Sequence, residues 1–198
     1  MVDKGVVFGR FQVFHLKQME YVLAAKMRCS KLYIGITHSD LVAYAPVSEL
    51  DRNTMTKRDN PLTYLERFEM IQGALLDFGI SREEFEIVPF PISCPELIFQ
   101  YTPKDALYYM NISTDWDDEK YRMLTKIGAR VEVLRKRDVQ DRGITGREIR
   151  TLIAEGKDWK QHVPKTVAEY IVNHGLDERI RGNYNRIQTS AETEKEED

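Results

Sequence analysis

A short segment near the start of the chain combines glycine, arginine and histidine in an order that suits a phosphate site. It reads GRFQVFH from Gly9 to His15 and directly follows an apolar run, residues 4–8. Glycine lets backbone approach a phosphate closely, and the N–H groups that begin the next helix favour an anion. His15 can donate to a phosphoryl oxygen whose charge grows during transfer, and Lys17 adds a cation nearby. A plain strand–turn–helix connection is the structural alternative.

A second segment, ITGREIR ending at Arg150, has the pattern of another helix start. Thr145 and Glu148 have the spacing of a capping box, which predicts a helix N-terminus and a second anion cradle. Arg147 and Arg150 are three residues apart and are therefore neighbours on that helix. Residues 135–150 contain six basic and three acidic side chains. This local excess suits a polyphosphate, and a solvated basic helix is the alternative.

Strands and helices alternate along the chain, and this alternation decides where the two segments lie. Short apolar runs predict five strands, at residues 4–8, 31–36, 86–90, 105–111 and 130–134. Helical periodicity or capping patterns predict helices at residues 15–28, 63–76, 117–127, 145–154 and 164–173. We therefore predict an α/β fold: a Rossmann-like doubly wound parallel sheet of about five strands, with a small helical C-terminal part from about residue 145.

Composition and length exclude several classes of protein. The 198 residues include 29 basic and 32 acidic side chains, so the net charge of -3 argues against a nucleic-acid binder. No apolar run approaches the roughly 18 residues that span a bilayer, and the N-terminal run is too short for a signal peptide. Cys29 and Cys94 lack metal-ligand spacing. These features predict a cytoplasmic protein that contacts no membrane.

Domain boundaries follow from two polar segments. Residues 1–181 are predicted to form one domain, and residues 182–198 a disordered acidic tail, because they contain few apolar side chains. The polar segment from Thr37 to Asn60 is long for a compact domain. It follows a strand at its carboxyl end, so we expect it to border the site and to close over substrate as a lid.

The two motifs together resemble the signatures of a known group, the nucleotidylyltransferase superfamily. GRFQVFH is similar to its HxGH-type motif, and ITGREIR is similar to its ISTxxxR-type motif. The segments NPLTYLERFEMI (Asn60–Ile71) and KDWKQHVPKTVAEYI (Lys157–Ile171) resemble those of the archaeal-type nicotinamide mononucleotide adenylyltransferases. The four segments occur in the expected order over about residues 4–181.

This resemblance implies transfer of a nucleotidyl group from an NTP to a phosphorylated small molecule, with release of pyrophosphate. The favoured reaction is adenylyl transfer from ATP to a nicotinamide or nicotinate mononucleotide-like acceptor, as in NAD biosynthesis. Mg²⁺ would be carried by the NTP phosphates and not by a protein cage. No nucleic acid or membrane partner is implied, and the oligomeric state is left open, with a homo-oligomer among the options.

The resemblance also implies which residues act. Those that approach the nucleotide or cradle its phosphates are Gly9, Arg10, Phe11, His15, Thr145, Gly146, Arg147 and Arg150. Those assigned to catalysis are His15, Lys17, Gln18 and Arg150. Residues predicted to contact the acceptor, at the edge of the fourth strand or by stacking, are Asn111, Asp115, Trp116, Phe99 and Tyr101. For Phe99 and Tyr101 a place in the core is the alternative, and for Asn111, Asp115 and Trp116 it is an ordinary turn with a helix cap at Asp115.

Two departures from the family pattern keep other functions open. Gln18 stands where the HxGH motif has its second histidine, and glutamine can donate a hydrogen bond but carries no charge. Lys17 stands at the motif glycine and could supply that charge. A catalytically weak nucleotide-binding regulatory protein is therefore one alternative. The family's acceptor-pocket tryptophan has no counterpart in the central segment, so a cytidylyltransferase acting on a phosphorylated or phosphonate metabolite is the other.

Overall fold

The computed structural model describes residues 1–39, 56–138, 140 and 143–185. The strands are β1 (Val2–Gly9), β2 (Cys29–Thr37), β3 (Phe85–Phe90), β4 (Leu107–Ile112) and β5 (Arg130–Lys136). The α-helices are α1 (Leu16–Lys26), α2 (Tyr64–Asp77), α3 (Asp115–Lys126), α4 (Gly146–Ala154) and α5 (Lys165–Asn173). Residues 176–185 are also helical.

The five strands form one parallel sheet in the order β3-β2-β1-β4-β5. The chain starts in the middle, winds outward to β3, and then returns to place β4 on the other side of β1. This reversal leaves a crevice at the carboxyl ends of β1 and β4, where ligands bind in doubly wound sheets. The predicted Rossmann-like α/β fold is confirmed.

Alternate residues of β1 enter two separate cores because side chains alternate across a strand. Val7 packs in a core that also contains buried side chains of α1, α2 and α5. Val6 and Phe8 pack on the opposite face, with Leu124 of α3. A central parallel strand covered on both faces is apolar throughout, which explains the unbroken buried run at the end of β1.

Two aromatic rings stack across β2 at the carboxyl edge of the sheet. Phe8 and Phe90 lie with their ring centroids 4.6 Å apart and their planes 4° from parallel. Gly35, which pairs with Phe8 in the sheet, makes this possible. A Cβ atom on Gly35 would lie 2.5 Å from the Phe90 ring. The stacked rings of Phe8 and Phe90 therefore form a flat aromatic surface at the carboxyl edge of the sheet.

Two of the element boundaries that differ from the sequence prediction are explained by side-chain contacts. Helix α3 begins at Asp115 and not at residue 117, since Thr114 is its cap: the Asp117 N–H donates to Thr114 Oγ1 at 3.2 Å. Strand β4 begins at Leu107 and not at residue 105. The Asp105 carboxylate instead pairs with Lys4 at 2.9 Å.

Several predictions fall on parts of the chain that the structure does not describe. Residues 40–55 contain most of the predicted lid, and residues 186–198 most of the predicted tail, and both lie outside the described ranges. The last helical stretch runs to residue 185, past the predicted boundary at 181. Within the described ranges no helix is long and apolar enough to cross a bilayer.

Candidate active site

The carboxyl ends of β1 and β4 open into one cleft of about 580 Å³. Both sequence motifs line it, although they are far apart in the chain. The predicted site residues that line the cleft are Gly9, Arg10, Phe11, His15, Lys17, Gln18, Asn111, Trp116, Thr145, Gly146 and Arg147. The predicted site residues that lie outside its lining are Asp115, Phe99, Tyr101 and Arg150.

The N-terminus of α1 forms one wall of the cleft and is capped by residues of the first motif. His15 is the N-cap residue, and its backbone N–H donates to Gln18 Oε1 at 3.3 Å. Gln18 therefore uses its side-chain oxygen to complete a helix cap. The N–H groups of Leu16 and Lys17, the first two residues of α1, have no acceptor within the helix, and the positive end of the helix dipole favours an anion beside them.

His15 is neutral at physiological pH because it is buried. Its side chain is among the buried polar groups, with 6% of the residue exposed. Burial lowers the pKa of His15 to about 4, against a smaller opposing effect of the Glu148 carboxylate. A neutral imidazole still carries one ring N–H that can donate a hydrogen bond.

The N-terminus of α4 forms the facing wall of the cleft. The Glu148 N–H donates to Thr145 Oγ1 at 3.3 Å, and the Thr145 N–H donates to Glu148 Oε2 at 2.7 Å. The predicted capping box is thus confirmed. Because Gly146 and Arg147 occupy the first turn, their N–H groups have no acceptor within the helix. Two helix N-termini therefore border the same cleft.

Gly146 allows α4 to pack directly on the loop of the first motif. A Cβ atom at Gly146 would lie 2.4 Å from the Gln12 carbonyl oxygen and 3.2 Å from the Val13 nitrogen. Both are backbone atoms, which cannot swing away as a flexible side chain can. The two motifs are therefore in backbone contact, a relation that their sequence separation does not reveal.

Gly9, which lines the cleft, also allows a neighbouring side chain to pack. A Cβ atom at Gly9 would lie 3.0 Å from the Phe11 ring. Phe11 itself has a positive φ of 52°, and its ring meets Phe14 edge-on at 5.6 Å. The absence of a side chain at Gly9 thus makes room for the Phe11 ring, which is almost fully buried.

Buried polar side chains that the sequence analysis did not identify hold this loop in place. Gln12 Nε2 donates to the Leu62 carbonyl at 2.8 Å, and Gln12 Oε1 accepts from the Leu62 N–H at 3.0 Å. Arg67 of α2 donates to the Arg10 and Thr37 carbonyls, both at 2.8 Å. Buried polar groups need partners, so these contacts fix the loop to α2 and to Leu62 just before it. The available signals were that Gln12 lies within the GRFQVFH motif and that Arg67 lies within the family-like segment NPLTYLERFEMI.

Arg150 is the largest departure from the predicted site. Its guanidinium is fully buried behind the loop, where Nε donates to the Arg58 carbonyl at 3.1 Å and Nη1 donates to the Gln12 carbonyl. Nη2 contacts Asp59 Oδ1 at 3.1 Å. The sequence assigned Arg150 to the phosphates, but the structure directs its donors to protein acceptors. In this structure the Arg150 guanidinium therefore joins α4 to the loop and to Asp59.

Asp59 links the buried arginine to an exposed one. Arg147 Nη2 lies 3.7 Å from the Asp59 carboxylate that Arg150 also contacts, and the Arg147 side chain is 57% exposed. Arg147 lines the cleft, so its guanidinium is within the predicted phosphate cradle. Asp59 is a buried carboxylate at the end of a polar segment, and no local pattern marks it.

Lys17, the residue at the motif glycine, lines the cleft in an ion pair. Its Nζ lies 3.0 Å from Glu20 Oε2, and Arg135 of β5 contacts the same carboxylate. The stem of Lys17 packs on Gly143, where a Cβ atom would meet the lysine Cε at 3.2 Å. The cation that was expected to compensate for Gln18 is thus shared with an acidic neighbour.

Two of the five predicted acceptor residues line the cleft, and the other three lie outside it. Asn111 and Trp116 line the cleft, whereas Asp115, the first residue of α3, does not. Phe99 packs edge-on against Tyr108, with ring centroids 6.4 Å apart, as part of the second core. Tyr101 is 42% exposed and also lies outside the cleft lining.

Comparison with known proteins shows relatives that span nearly the whole chain. The phosphonoformate cytidylyltransferase of Streptomyces viridochromogenes is 41% identical over 181 residues, covering 89% of this chain and 95% of that protein. The nicotinamide-nucleotide adenylyltransferase of Saccharolobus solfataricus is 28% identical over 185 residues, covering 91% and 96%. No protein-family model matches the chain.

Solved structures share the fold. A bifunctional NMN adenylyltransferase/ADP ribose pyrophosphatase from Francisella tularensis aligns with a TM-score of 0.69 at 16% identity. The alignment covers 98% of this chain, which spans 56% of that longer protein. With the two motifs at one cleft and a relative at 41% identity, the chain belongs to the nucleotidylyltransferase family that includes the cytidylyltransferase and the archaeal adenylyltransferases.

Proposed function

We propose that this chain transfers a cytidylyl group from CTP to a phosphonate or phosphate oxygen of a small acceptor and releases pyrophosphate. The observation that carries this proposal is the 41% identity to phosphonoformate cytidylyltransferase over 95% of that protein. Adenylyl transfer from ATP to a mononucleotide acceptor, the reaction that the sequence favoured, is the second candidate. It is supported by the archaeal relatives, at 28% identity for the Saccharolobus enzyme.

In the proposed reaction the triphosphate binds between the N-termini of α1 and α4. The N–H groups that begin α1 and α4 and the exposed guanidinium of Arg147 are the donors for its oxygens. An acceptor oxygen attacks the α-phosphorus and forms a new P–O bond, and the bond from that phosphorus to the bridging oxygen breaks. The electron pair leaves with pyrophosphate, and no covalent enzyme intermediate forms.

His15 stabilises the charge that develops during this step. Phosphate and phosphonate oxygens are already largely deprotonated near pH 7, so the nucleophile does not depend on a base from the protein. The chemistry instead needs donors aimed at the phosphoryl oxygens. A buried, neutral His15 with a pKa of about 4 supplies one such N–H. Its loss should lower kcat by about 100-fold or more.

The cleft fits a divalent cation carried by the nucleotide. Asp117 is the one acidic residue among the described lining residues, and it is already paired with Lys120 at 2.7 Å. In the part of the chain that the structure describes, no three His, Cys, Asp or Glu side chains come together as a metal site. When bound, Mg²⁺ would neutralise phosphate charge, with phosphate oxygens and water as its ligands.

Pyrophosphate release tests the proposal. The protein is incubated with CTP or ATP and with phosphonoformate or nicotinamide mononucleotide, in all four pairs. We expect CTP with phosphonoformate to give the highest rate. Turnover confined to ATP with nicotinamide mononucleotide would establish the second candidate instead. Tight NTP binding without pyrophosphate in any pair would favour the regulatory alternative.

A matched pair of histidine variants tests the site. His15→Ala should lose about 100-fold in kcat, whereas His174→Ala should keep the wild-type rate. His174 is exposed and stacks on Tyr170 of α5, outside the cleft. Equal rates for both variants would remove His15 from the chemistry.

A further inference from the structure

A recess of about 200 Å³ adjoins the active-site cleft on the side of β2. It shares Phe8, Gly9, Arg10, Trp116 and Lys120 with the cleft and continues to Thr37 and His38 at the end of β2. The phosphate-cradle residues of α1 and α4 are not part of its lining. A ligand group in the recess would therefore be separate from the triphosphate but continuous with the reacting centre.

The recess carries positive charge. Arg10 and Lys120 both line it, and none of its described lining residues is acidic. Its remaining surface includes Phe8, one of the two stacked rings of the sheet edge, and Ile92. An apolar surface beside cations lowers the local dielectric, which strengthens their attraction for an anion.

Lys120 is held in a defined position at the mouth of the recess. Its Nζ lies 2.7 Å from Asp117 Oδ1, and both side chains are only 19% exposed. The same ammonium lies 5.6 Å from the Trp116 ring centroid and 5.9 Å from that of Phe8. These contacts are within cation–π range, so an aromatic pair and a carboxylate together orient the lysine.

Asp117 is itself immobilised by the start of α3. Its Oδ2 accepts from the backbone N–H groups of Ser113 and Thr114, each at 3.0 Å. Burial opposes the ionisation of Asp117, but the charge of Lys120 and these hydrogen bonds outweigh it, so its pKa is lowered. Asp117 uses one oxygen for the helix cap and one for Lys120. An ammonium has three N–H donors, so Lys120 can bind a ligand while it stays paired.

We propose that Lys120 is a specificity-determining residue that binds a carboxylate of the acceptor, with the acceptor's reacting phosphonate or phosphate in the cleft. This inference rests on the proposed transfer to a small anionic acceptor and extends it to the acceptor's second charged group. Lys120 lines both the cleft and the recess, so a carboxylate on it stays connected to the reacting group. Asp117 positions Lys120 and does not itself meet the anion.

Calorimetric titration with two matched compounds tests this role without requiring turnover. Phosphonoformate carries a phosphonate and a carboxylate, whereas methylphosphonate carries only the phosphonate. Wild-type protein should bind phosphonoformate about tenfold or more tightly than methylphosphonate, as expected for one charge-assisted contact. In Lys120→Met this preference should fall to about twofold, while affinity for methylphosphonate changes little.

Lys126→Met is the matched control, because Lys126 is an exposed lysine in the last turn of the same helix. It removes the same charge and should keep the wild-type preference, and Lys120→Arg should restore most of it. Circular dichroism checks that Lys120→Met retains the fold. No preference in the wild type, or a preference that persists in Lys120→Met, would overturn the assignment. If the preference for phosphonoformate depends on Lys120 but no pyrophosphate is released, only the proposed reaction is refuted.

Discussion

Replacing Arg150 by methionine should destabilise the protein before it affects phosphate binding. Methionine keeps a long apolar side chain but removes every guanidinium donor. The Asp59 carboxylate then loses a buried partner at 3.1 Å, and the Arg58 and Gln12 carbonyls each lose a donor. These groups lie behind the loop and away from the cleft lining.

The loss of unfolding free energy depends on how strongly the Asp59 carboxylate is left unpaired. Removing one partner of a buried ion pair costs about 3–5 kcal/mol. Burial and the charge of Arg10 lower the pKa of Arg150 to about 10, so part of that cost is offset when the cation is removed. Arg147 also remains 3.7 Å from the carboxylate. We expect a loss of about 3 kcal/mol in the free energy of unfolding, or roughly 10 °C in Tm.

Urea unfolding of Arg150→Met and Arg147→Met makes the comparison, because both arginines contact Asp59. Arg147 is 57% exposed, so its removal should cost less than about 1 kcal/mol. Arg147→Met should instead weaken NTP binding, measured by calorimetry. Adding Asp59→Asn to Arg150→Met should recover part of the lost stability, since the unpaired buried carboxylate is gone. The reasoning is refuted if Arg150→Met unfolds like the wild type while its NTP affinity falls.

Three further predictions concern the walls of the cleft. The pKa of His15 is about 4 in the folded protein against an ordinary 6.5, so only the unfolded chain gains a proton between these values. Unfolding free energy should therefore fall by up to about 3 kcal/mol as pH drops from 6.5 to 4, and urea titrations should show His15→Asn losing this part of the pH dependence. Gly146→Ala should lower both the urea midpoint of unfolding and kcat, because its Cβ atom would lie 2.4 Å from a backbone oxygen. Gly182→Ala is the control: its Cβ atom would have nothing within 4 Å, so this variant should unfold at or above the wild-type urea midpoint. Gln18→Ala should cost about 1 kcal/mol by thermal unfolding through the lost cap to His15, and an unchanged Tm would contradict that role.

Local sequence patterns determined the elements of this protein because their causes lie within a turn or two of chain. Thr63 with Glu66 and Thr145 with Glu148 predicted two helix starts, and the reciprocal hydrogen bonds of both capping boxes are present. The alternation of strands and helices predicted the parallel sheet, since parallel neighbours need a long crossover connection, which is usually a helix. Strand-end position then placed the GRFQVFH motif at the edge where the cleft lies.

Tertiary structure alone decided which polar residues face the ligand. Arg150 lies in the same motif and on the same helix as Arg147, yet its partners Asp59, Arg58 and Gln12 are 91, 92 and 138 positions away. Burial of an arginine depends on what packs opposite it, and no short-range pattern encodes that. The recess beside Lys120 has the same origin: its lining residues come from β1, β2 and α3, which are distant in the sequence. Helix caps are local in sequence, whereas the shape and charge of a cleft are set by contacts between distant segments.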